Sequence, residues 1–317
     1  MKPIIIGIGE LLWDILPAGA RMGGAPANFA CHTKSLGAKA AVISRVGADD
    51  AGQRIVNELD GMGIMTEGVT TDSQNPTGSV MVTLGNDGQP QFEICSNVAW
   101  DHLCVTPQHR QLVSNANAIC FGSLGQRSAI SRKAIRTLVS EAPESSLKVF
   151  DVNLRGDFFT ENILHESLNL ANVCKLSDAE LPVIAELLKL TGDDASDQLN
   201  ELQSRYQLRL VVYTRGSGGS VLGNGHRWCE SPALSTDVRD TIGAGDSFTA
   251  ATVMGALQGW SLETISQNAN EVAAHVCAHH GAIPNLPASI CDRFSWTNWD
   301  GCLDSPEGVE CPTSFGV

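Results

Sequence analysis

The chain has 317 residues and a formal net charge of −14 at pH 7, from 21 lysine and arginine residues against 35 aspartate and glutamate residues. This excess of negative charge argues against binding to nucleic-acid backbones and to anionic membrane surfaces. Hydrophobic residues make up 43% and charged residues 18% of the chain, which is typical of a protein with a large core and excludes wholesale disorder. We therefore expect neither a nucleic-acid partner nor a membrane partner.

The N-terminal residues and the cysteines indicate a cytoplasmic protein. The apolar run at residues 4–8 is short and is followed by Glu10, which is typical of a buried strand and not of a signal peptide or a membrane span. The ten cysteines include no C-x-x-C pair, so the common zinc and redox motifs are absent. We expect reduced thiols and a cytoplasmic location.

Strand-like and helix-like segments alternate along most of the chain. The predicted strands are residues 4–8, 41–46, 116–121, 147–152, 173–176, 208–214 and 218–222, with a further run near Trp228. The predicted helices are residues 26–36, 49–59, 129–140, a segment ending at 188, 244–257 and 262–279. This alternation predicts an α/β fold with a mostly parallel sheet and helices on both faces.

Two segments depart from the alternation. The strand-like runs 77–83 and 91–95 flank Asn86-Asp87-Gly88, a strong hairpin signal, and no helix separates them. They predict an antiparallel flap apart from the main sheet. Residues 290–317 show no helix or strand period and are interpreted as an appended tail.

The strongest functional motif is DTIGAGDSF at residues 240–248, where a loop enters a helix. Glycines at 243 and 245 allow a tight turn that aims backbone N–H groups at one point, and the helix N-terminus adds positive partial charge. Asp246 in the first turn offers a carboxylate that can accept a proton from a hydroxyl group. An isolated sequence of this kind fits a plain glycine-rich helix cap equally well, so its neighbours decide the interpretation.

A second motif is GGAPANFA at residues 23–30. Paired glycines before a helix permit close approach of a ligand, and Asn28 offers both an amide donor and an acceptor. Asp14, between the first strand and this motif, offers a carboxylate to the hydroxyl groups of a polyol.

Together these motifs resemble the two signatures of the ribokinase-like (PfkB) carbohydrate kinases. Further segments that resemble the family follow in the expected order: DVNLR at 151–155, KLSDAE at 175–180, TRGSGG at 214–219, Ala269-Asn270 and GAIP at 281–284. The resemblance spans residues 3–289. It implies a ribokinase-like, Rossmann-type kinase domain at residues 1–289, with a small β lid from about residues 10–22 and 75–100.

The resemblance also implies roles for individual residues. Asp246 would be the general base, and the amides of Gly243, Ala244 and Gly245 would form the anion hole for the transferring phosphate. The sugar would be held by Asp14, Gly24, Asn28, Asn153 and Arg155. The ATP site would include Ser177, Thr214, Gly216, Ser217, Gly218 and Asn270. Glu180 would organise Mg²⁺ through water, and Asp240 with the carbonyl of Ile242 would bind a monovalent cation, K⁺. Ser177 stands where the family more often has asparagine. Because serine has a shorter side chain, a water would intervene in the N-x-x-E contact between Ser177 and Glu180.

Within the family, the segments GELLWDILP, GGAPANFA and NVAWDHL are most similar to bacterial fructokinases. An ATP-dependent kinase acting on fructose is therefore expected. Kinases of 2-keto-3-deoxygluconate, of other sugars or of nucleosides are the alternatives, because Arg155 suits a carboxylate or a phosphate as well as its neighbour Asp157. A non-catalytic sugar or nucleotide sensor is the alternative of a different class. The resemblance also implies a homodimer formed through the lid, in which its exposed strand edges would be covered.

Other motifs are set aside. The pair Gly7 and Gly9 lacks the third glycine of a dinucleotide-binding loop, which argues against a dehydrogenase, and no P-loop sequence occurs. His165-Glu166 begins a zinc-protease motif, but Asn169 stands where the second histidine is needed. The histidines near residues 275–280 are better explained by the favourable charge at a helix C-terminus than by a metal site.

Overall fold

Thirteen strands in two sheets and ten helices make up the part of the chain that this computed structural model describes, residues 1–16, 19–84 and 90–296. The strands are β1 (Ile4–Ile8), β2 (Leu12–Leu16), β3 (Gly19–Gly23), β4 (Lys39–Gly47), β5 (Val69–Asp72), β6 (Gly78–Leu84), β7 (Pro90–Ile94), β8 (Ala118–Gly122), β9 (Leu147–Asp151), β10 (Val173–Ser177), β11 (Leu210–Thr214), β12 (Ser220–Gly223) and β13 (Trp228–Ser231). The helices are α1 (Ala25–Ser35), α2 (Asp50–Gly61), α3 (Pro107–Val113), α4 (Ala129–Glu141), α5 (Glu161–Leu170), α6 (Leu181–Leu188), α7 (Ala195–Arg205), α8 (Ala244–Leu257), α9 (Leu262–Cys277) and α10 (Ala288–Cys291). Within these residues, none of the helices has the length and apolar character needed to span a bilayer.

The central sheet has nine strands in the order β13-β12-β11-β10-β9-β8-β1-β4-β5. The neighbours from β5 to β11 pair in parallel, and β12 and β13 add an antiparallel edge. The predicted mostly parallel sheet is therefore confirmed. After β1 the chain adds β4 and β5 on one side of β1, and the later strands, from β8 onward, lie on the other side. Such a reversal of strand order opens a crevice at the carboxyl ends of the strands.

Both faces of this sheet are buried, because alternate side chains of each strand point to opposite faces. On β1, Ile6 and Ile8 belong to the apolar cluster that contains side chains of α4 to α7, and Ile5 belongs to the cluster that contains side chains of α1, α8 and α9. All three isoleucines have 0% of their surface exposed. The continuous apolar run that predicted β1 is thus explained by helices on both faces.

The second sheet, called the lid sheet below, has the order β3-β2-β6-β7. Its presence confirms the predicted separate lid, and the antiparallel pairing of β6 with β7 confirms the flap predicted at residues 77–83 and 91–95. The sheet also contains β2, which pairs with β3 in antiparallel and with β6 in parallel. The hairpin signal at residues 86–88 lies outside the described residues.

A buried ion pair fastens the segment after β7 to the body. Arg127 Nε lies 2.7 Å from Asp101 Oδ1, and each side chain is 8% exposed. The guanidinium of Arg127 also lies 4.0 Å from the ring centroid of Trp100 and donates through Nη2 to the carbonyl oxygen of Cys95 at 2.6 Å. The lid sheet is thereby anchored at its outgoing strand.

The first residues of the predicted tail belong to the folded body. Ile290 lies in α10, and Phe294, in the helical turn that follows, is fully buried with its ring centroid 5.0 Å from that of Trp260. The expectation that no helix occurs beyond residue 290 is therefore wrong for residues 290–294, whose two apolar side chains complete the core beside α8 and α9. Residues 297–317 of the predicted tail lie outside the described residues.

Candidate active site

A cavity of about 640 Å³ lies where the carboxyl ends of the central strands face the lid sheet. The lid sheet contributes mostly apolar side chains to its wall, including Leu12, Val80 and Ile94. The predicted site residues in its wall are Asp14, Gly24, Asn28, Asn153, Arg155, Ser177, Glu180, Ile242, Gly243, Gly245 and Asp246. Motifs from distant parts of the sequence therefore meet around one space large enough for a small ligand.

The glycine loop before α8 is shaped by Gly243. This residue caps α8 with a φ of 79°, and a Cβ atom at this position would lie 2.4 Å from the carbonyl oxygen of Ala282. Only glycine therefore fits the turn. Gly243 and Gly245 lie in the cavity wall, whereas the N–H of Ala244 donates to the carbonyl of Thr241 at 3.3 Å and Ala244 lies behind the wall.

Asp246 is half-buried in the first turn of α8 and faces Asn28. The Asn28 Nδ2 donates to Asp246 Oδ2 at 2.8 Å, which fixes the orientation of the carboxylate and leaves the other oxygen available. Burial raises the pKa of Asp246 above its usual value, and the bond from Asn28 and the charges of Lys175 and Arg155 oppose this shift. The carboxylate is thus a better proton acceptor than a solvated aspartate.

The predicted sugar-binding residues of the cavity come from both the lid and the body. Asp14 lies on β2, and burial raises its pKa to about 6 although the charge of Arg155 lowers it. A Cβ atom on Gly23 would lie 2.3 Å from Asp14 Oδ2, so the first glycine of the GGAPANFA motif makes room for this carboxylate. Asn153 and Arg155 follow β9 opposite these residues.

Arg155 carries its charge into the cavity with few protein partners. Its Nη1 donates to the carbonyl of Leu154 at 2.9 Å, and its side chain is exposed. The guanidinium therefore keeps most of its donors for a ligand that enters the cavity.

Glu180 is held at the start of α6 by three hydrogen bonds. Its Oε2 accepts from the backbone N–H of Ser177 at 2.7 Å and from the Ser177 hydroxyl at 2.8 Å, and its Oε1 accepts from the N–H of Leu154 at 2.8 Å. The serine that replaces the family's usual asparagine thus contacts Glu180 directly, and the expectation of an intervening water at this contact is wrong. Both side chains line the cavity.

The remaining predicted nucleotide residues lie beside the cavity and not in its wall. Thr214 ends β11 next to Ser177 in the parallel pairing, and Gly216–Gly218 form the exposed turn that follows. Asn270, in α9, donates from Nδ2 to the Ser220 hydroxyl at 3.0 Å. Ser217 lies within the exposed turn. Thr214 and this turn therefore form a surface that adjoins Ser177 and Glu180, whereas Asn270 is hydrogen-bonded inside the body.

Asp240 connects the loop before α8 with the turn at residue 281. Its Oδ1 accepts from the N–H of Ile242 at 3.0 Å and its Oδ2 accepts from the N–H of Gly281 at 2.9 Å. The predicted cation ligands Asp240 and Ile242 therefore lie together at the base of the glycine loop.

Lys175 is a cavity residue that is not among the predicted site residues. It lies near the end of β10, is 7% exposed, and its Nζ donates to Asp151 Oδ1 at 3.0 Å. The hydroxyl of Thr249 lies 3.0 Å from Asp151 Oδ2 and 2.9 Å from the carbonyl oxygen of Gly245, so its single proton is shared between these two acceptors. The signal that could have found it is a single lysine inside the apolar run of a buried strand, two residues before Ser177.

Comparisons with known proteins agree with this geometry. The pfkB family carbohydrate kinase model matches residues 18–289. An uncharacterized sugar kinase of Pyrococcus horikoshii is 30% identical over 298 residues, which cover 88% of this chain and 91% of that protein. Its crystal structure in complex with ATP has a TM-score of 0.75 at 29% identity and covers 88% of this chain and 94% of that chain.

Fructokinases are similar over the same length. Fructokinase-2 of Zea mays is 29% identical over 312 residues, which cover 90% of this chain and 91% of that protein. The structure of a fructokinase from Xylella fastidiosa with bound ATP has a TM-score of 0.80 at 24% identity, covering 93% of this chain and 98% of that chain. Since the family model matches residues 18–289, which include both glycine motifs, the chain belongs to the PfkB family of carbohydrate kinases.

Proposed function

We propose that this carbohydrate kinase transfers the γ-phosphate of ATP to a hydroxyl group of fructose. The observation that carries the proposal is the position of Asp246: a carboxylate oriented by Asn28, in the first turn of a helix, in the wall of the cavity that also contains Asp14 and Glu180. Phosphoryl transfer requires an aligned acceptor, neutralised charge and a base, and these residues can supply all three.

In the proposed reaction, Asp246 accepts the proton of the acceptor hydroxyl as its oxygen attacks the γ-phosphorus. The bond between the γ-phosphorus and the bridging oxygen of ADP breaks as the new bond forms. Gly243 and Gly245 line the cavity, and their backbone N–H groups, with the positive end of α8, would stabilise the developing charge. Since these donors are fixed by the turn, they need no rearrangement during the reaction.

The residues around Glu180 fit a Mg²⁺ ion. Mg²⁺ prefers one or two carboxylates together with waters and phosphate oxygens, so it needs no cluster of protein ligands. Glu180 offers such a carboxylate in the cavity wall, held in place by Ser177 and the N–H of Leu154. When bound with ATP, Mg²⁺ would neutralise phosphate charge at this side of the cavity.

The lid sheet supports transfer to a sugar in preference to water. Asp14 places a carboxylate for sugar hydroxyl groups on the same sheet whose Leu12, Val80 and Ile94 face the cavity. Closure over a bound sugar would remove water that could otherwise accept the phosphate. A homodimer formed through the exposed edges β3 and β7 stays a prediction, which the sedimentation coefficient would check.

The choice of fructose rests on sequence similarity to fructokinases over about nine-tenths of the chain, as with the maize enzyme. One observation favours a second candidate, the sugar acid 2-keto-3-deoxygluconate. Arg155 carries a guanidinium into the cavity with a single backbone partner, and a guanidinium binds carboxylates in a bidentate manner.

The test is ADP release from MgATP with a panel of fructose, glucose, ribose, a nucleoside and 2-keto-3-deoxygluconate, each with and without K⁺. We expect the highest kcat/KM with fructose, and a higher rate with K⁺ because of Asp240 and Ile242. A clear preference for the sugar acid would select the second candidate. Binding of ATP and sugars without turnover would refute the enzyme and favour a sensor.

A further inference from the structure

Lys175 places a buried positive charge against the glycine loop. Its side chain is 9% exposed, and a Cβ atom on Gly245 would lie 3.1 Å from its Nζ. The ammonium group therefore lies directly over the first turn of α8. Burial lowers the pKa of Lys175, but the carboxylates of Asp151, Glu180 and Asp246 raise it by more, so the lysine stays protonated.

This position is electrostatically unusual. The N-terminal end of a helix carries positive partial charge, so a cation beside it is unfavourable and an anion is favourable. Here a lysine and a helix N-terminus converge on the same part of the cavity. Asp151 balances one side of the ammonium group at 3.0 Å, while the side toward Gly245 faces the cavity. Besides the nearby carboxylates, two positive sources that converge on one space favour the approach of an anionic group.

The contacts of Asp151 hold the ammonium group in place. Asp151 accepts from Lys175, and the Thr249 hydroxyl lies between Asp151 and the carbonyl of Gly245 and shares its proton between them. The strand end that carries Lys175 is thereby tied to the helix turn that carries Asp246. A lysine that served only to neutralise Asp151 would not need to lie in the cavity wall or over the glycine loop.

We propose that Lys175 is a further catalytic residue, whose ammonium group contacts the transferring phosphoryl group and neutralises its charge beside Gly245. The proposal rests on the proposed kinase reaction and adds a residue to it. Lys175 keeps its proton throughout: the acceptor proton goes to Asp246, and the bridging oxygen leaves with ADP. ATP and the sugar bind mainly through the adenine and sugar parts, so this contact adds little to their affinity. Loss of the contact therefore lowers kcat and leaves KM nearly unchanged.

The variants separate this role from a purely structural ion pair. Lys175→Met removes the ammonium group but leaves Asp151 buried without its partner, which destabilises the fold. The double variant Lys175→Met/Asp151→Asn removes both charges and restores a neutral pair of similar volume. Lys148→Met, on the adjacent strand β9 and away from the cavity, is the matched control.

The experiment measures melting temperature, kcat and KM with MgATP and the preferred sugar, together with inhibition by ADP plus aluminium fluoride, which imitates the phosphoryl group in transfer. In the folded double variant we expect kcat to fall by about 10²- to 10³-fold, as when one oriented donor is removed from a transition state. The affinity for ADP–aluminium fluoride should fall by the same factor, while the affinity for ADP alone changes less than about threefold. Lys148→Met should match the wild type.

Wild-type kcat and aluminium fluoride inhibition in the double variant would overturn the proposal, because Lys175 would then be only the partner of Asp151. A loss of both sugar and ADP affinity with unchanged kcat would overturn it as well. If the wild-type protein phosphorylates no sugar, the proposed function itself fails, and this is seen before any variant is compared.

Discussion

Asp246→Asn tests the assignment of the base with the smallest change of shape. In the wild type, Asn28 Nδ2 donates to Asp246 Oδ2 at 2.8 Å. The side-chain oxygen of the new asparagine can accept the same hydrogen bond, so the loop and the cavity should be retained. What is lost is the ability to take up a proton. A positioned general base contributes about 10²- to 10⁴-fold to the rate, which corresponds to about 3–5 kcal/mol of activation free energy.

We therefore expect kcat to fall by about 10²- to 10⁴-fold, while KM for ATP and for the sugar changes only a few-fold. The assay is ADP release at saturating substrates, with binding of ATP and sugar measured separately by calorimetry. Asp60→Asn, an exposed position on α2, is the control for the loss of one negative charge. A kcat within about threefold of the wild type in Asp246→Asn would refute the mechanism, because no other carboxylate is bonded to Asn28 in the described residues.

Four further predictions follow from the geometry. Gly243→Ala should lower kcat by about 10²-fold or more, since the new methyl group meets backbone at 2.4 Å and displaces the loop, and steady-state kinetics checks this. The KM for the sugar should rise as the pH falls below about 6, because burial raises the pKa of Asp14 to about 6 and a protonated Asp14 accepts fewer hydrogen bonds; a KM that is constant from pH 8 to 5 would contradict this. Glu180→Gln should raise the Mg²⁺ concentration needed for half-maximal rate, measured by metal titration, with little change in sugar binding. Arg127→Met should lower the free energy of unfolding by about 3–5 kcal/mol in urea titrations, because Asp101 is left buried without its partner.

The central body could be predicted from the sequence because its elements are marked locally. Helix α8 was expected at residues 244–257 and is observed at Ala244–Leu257, since glycines precede it and an apolar segment fills it. Strand β1 was expected and observed at the same residues, because an unbroken apolar run has few alternatives in a sheet covered on both faces. The residues around the cavity came instead from the family resemblance, since local patterns marked only the two glycine motifs, Asn28, Asp14 and Asp246.

The lid strands β2 and β3 could not be assigned as strands from local pattern. Leu12–Leu16 is interrupted by Asp14, and its parallel partner β6 comes much later in the chain. Strand β5 is short and rich in threonine, so it resembles a loop until it pairs with β4. Helices α5 and α7 were also not predicted, because polar residues dominate their exposed faces.

Side-chain partners distant in sequence were the least predictable part of the site. The bond from Asn270 to Ser220 and the contact of Lys175 with the glycine loop both depend on elements that the sequence does not place side by side. Their positions follow from the strand order β9-β10-β11 and from the way α8 crosses the sheet. Residue types alone showed which chemistry was available, and only the packing showed which groups meet.

The division of the site between two sheets has a consequence for how this enzyme could change. Asp14 is carried by β2 of the lid sheet, whereas Asn28, Asp246 and Lys175 are carried by the body. Because Asp14 is proposed to hold the acceptor, substitutions along β2 would alter which acceptor is held without touching the residues proposed to move the phosphate. New acceptor specificities can accumulate on one sheet while the chemistry stays on the other, so selection can act on the two properties separately.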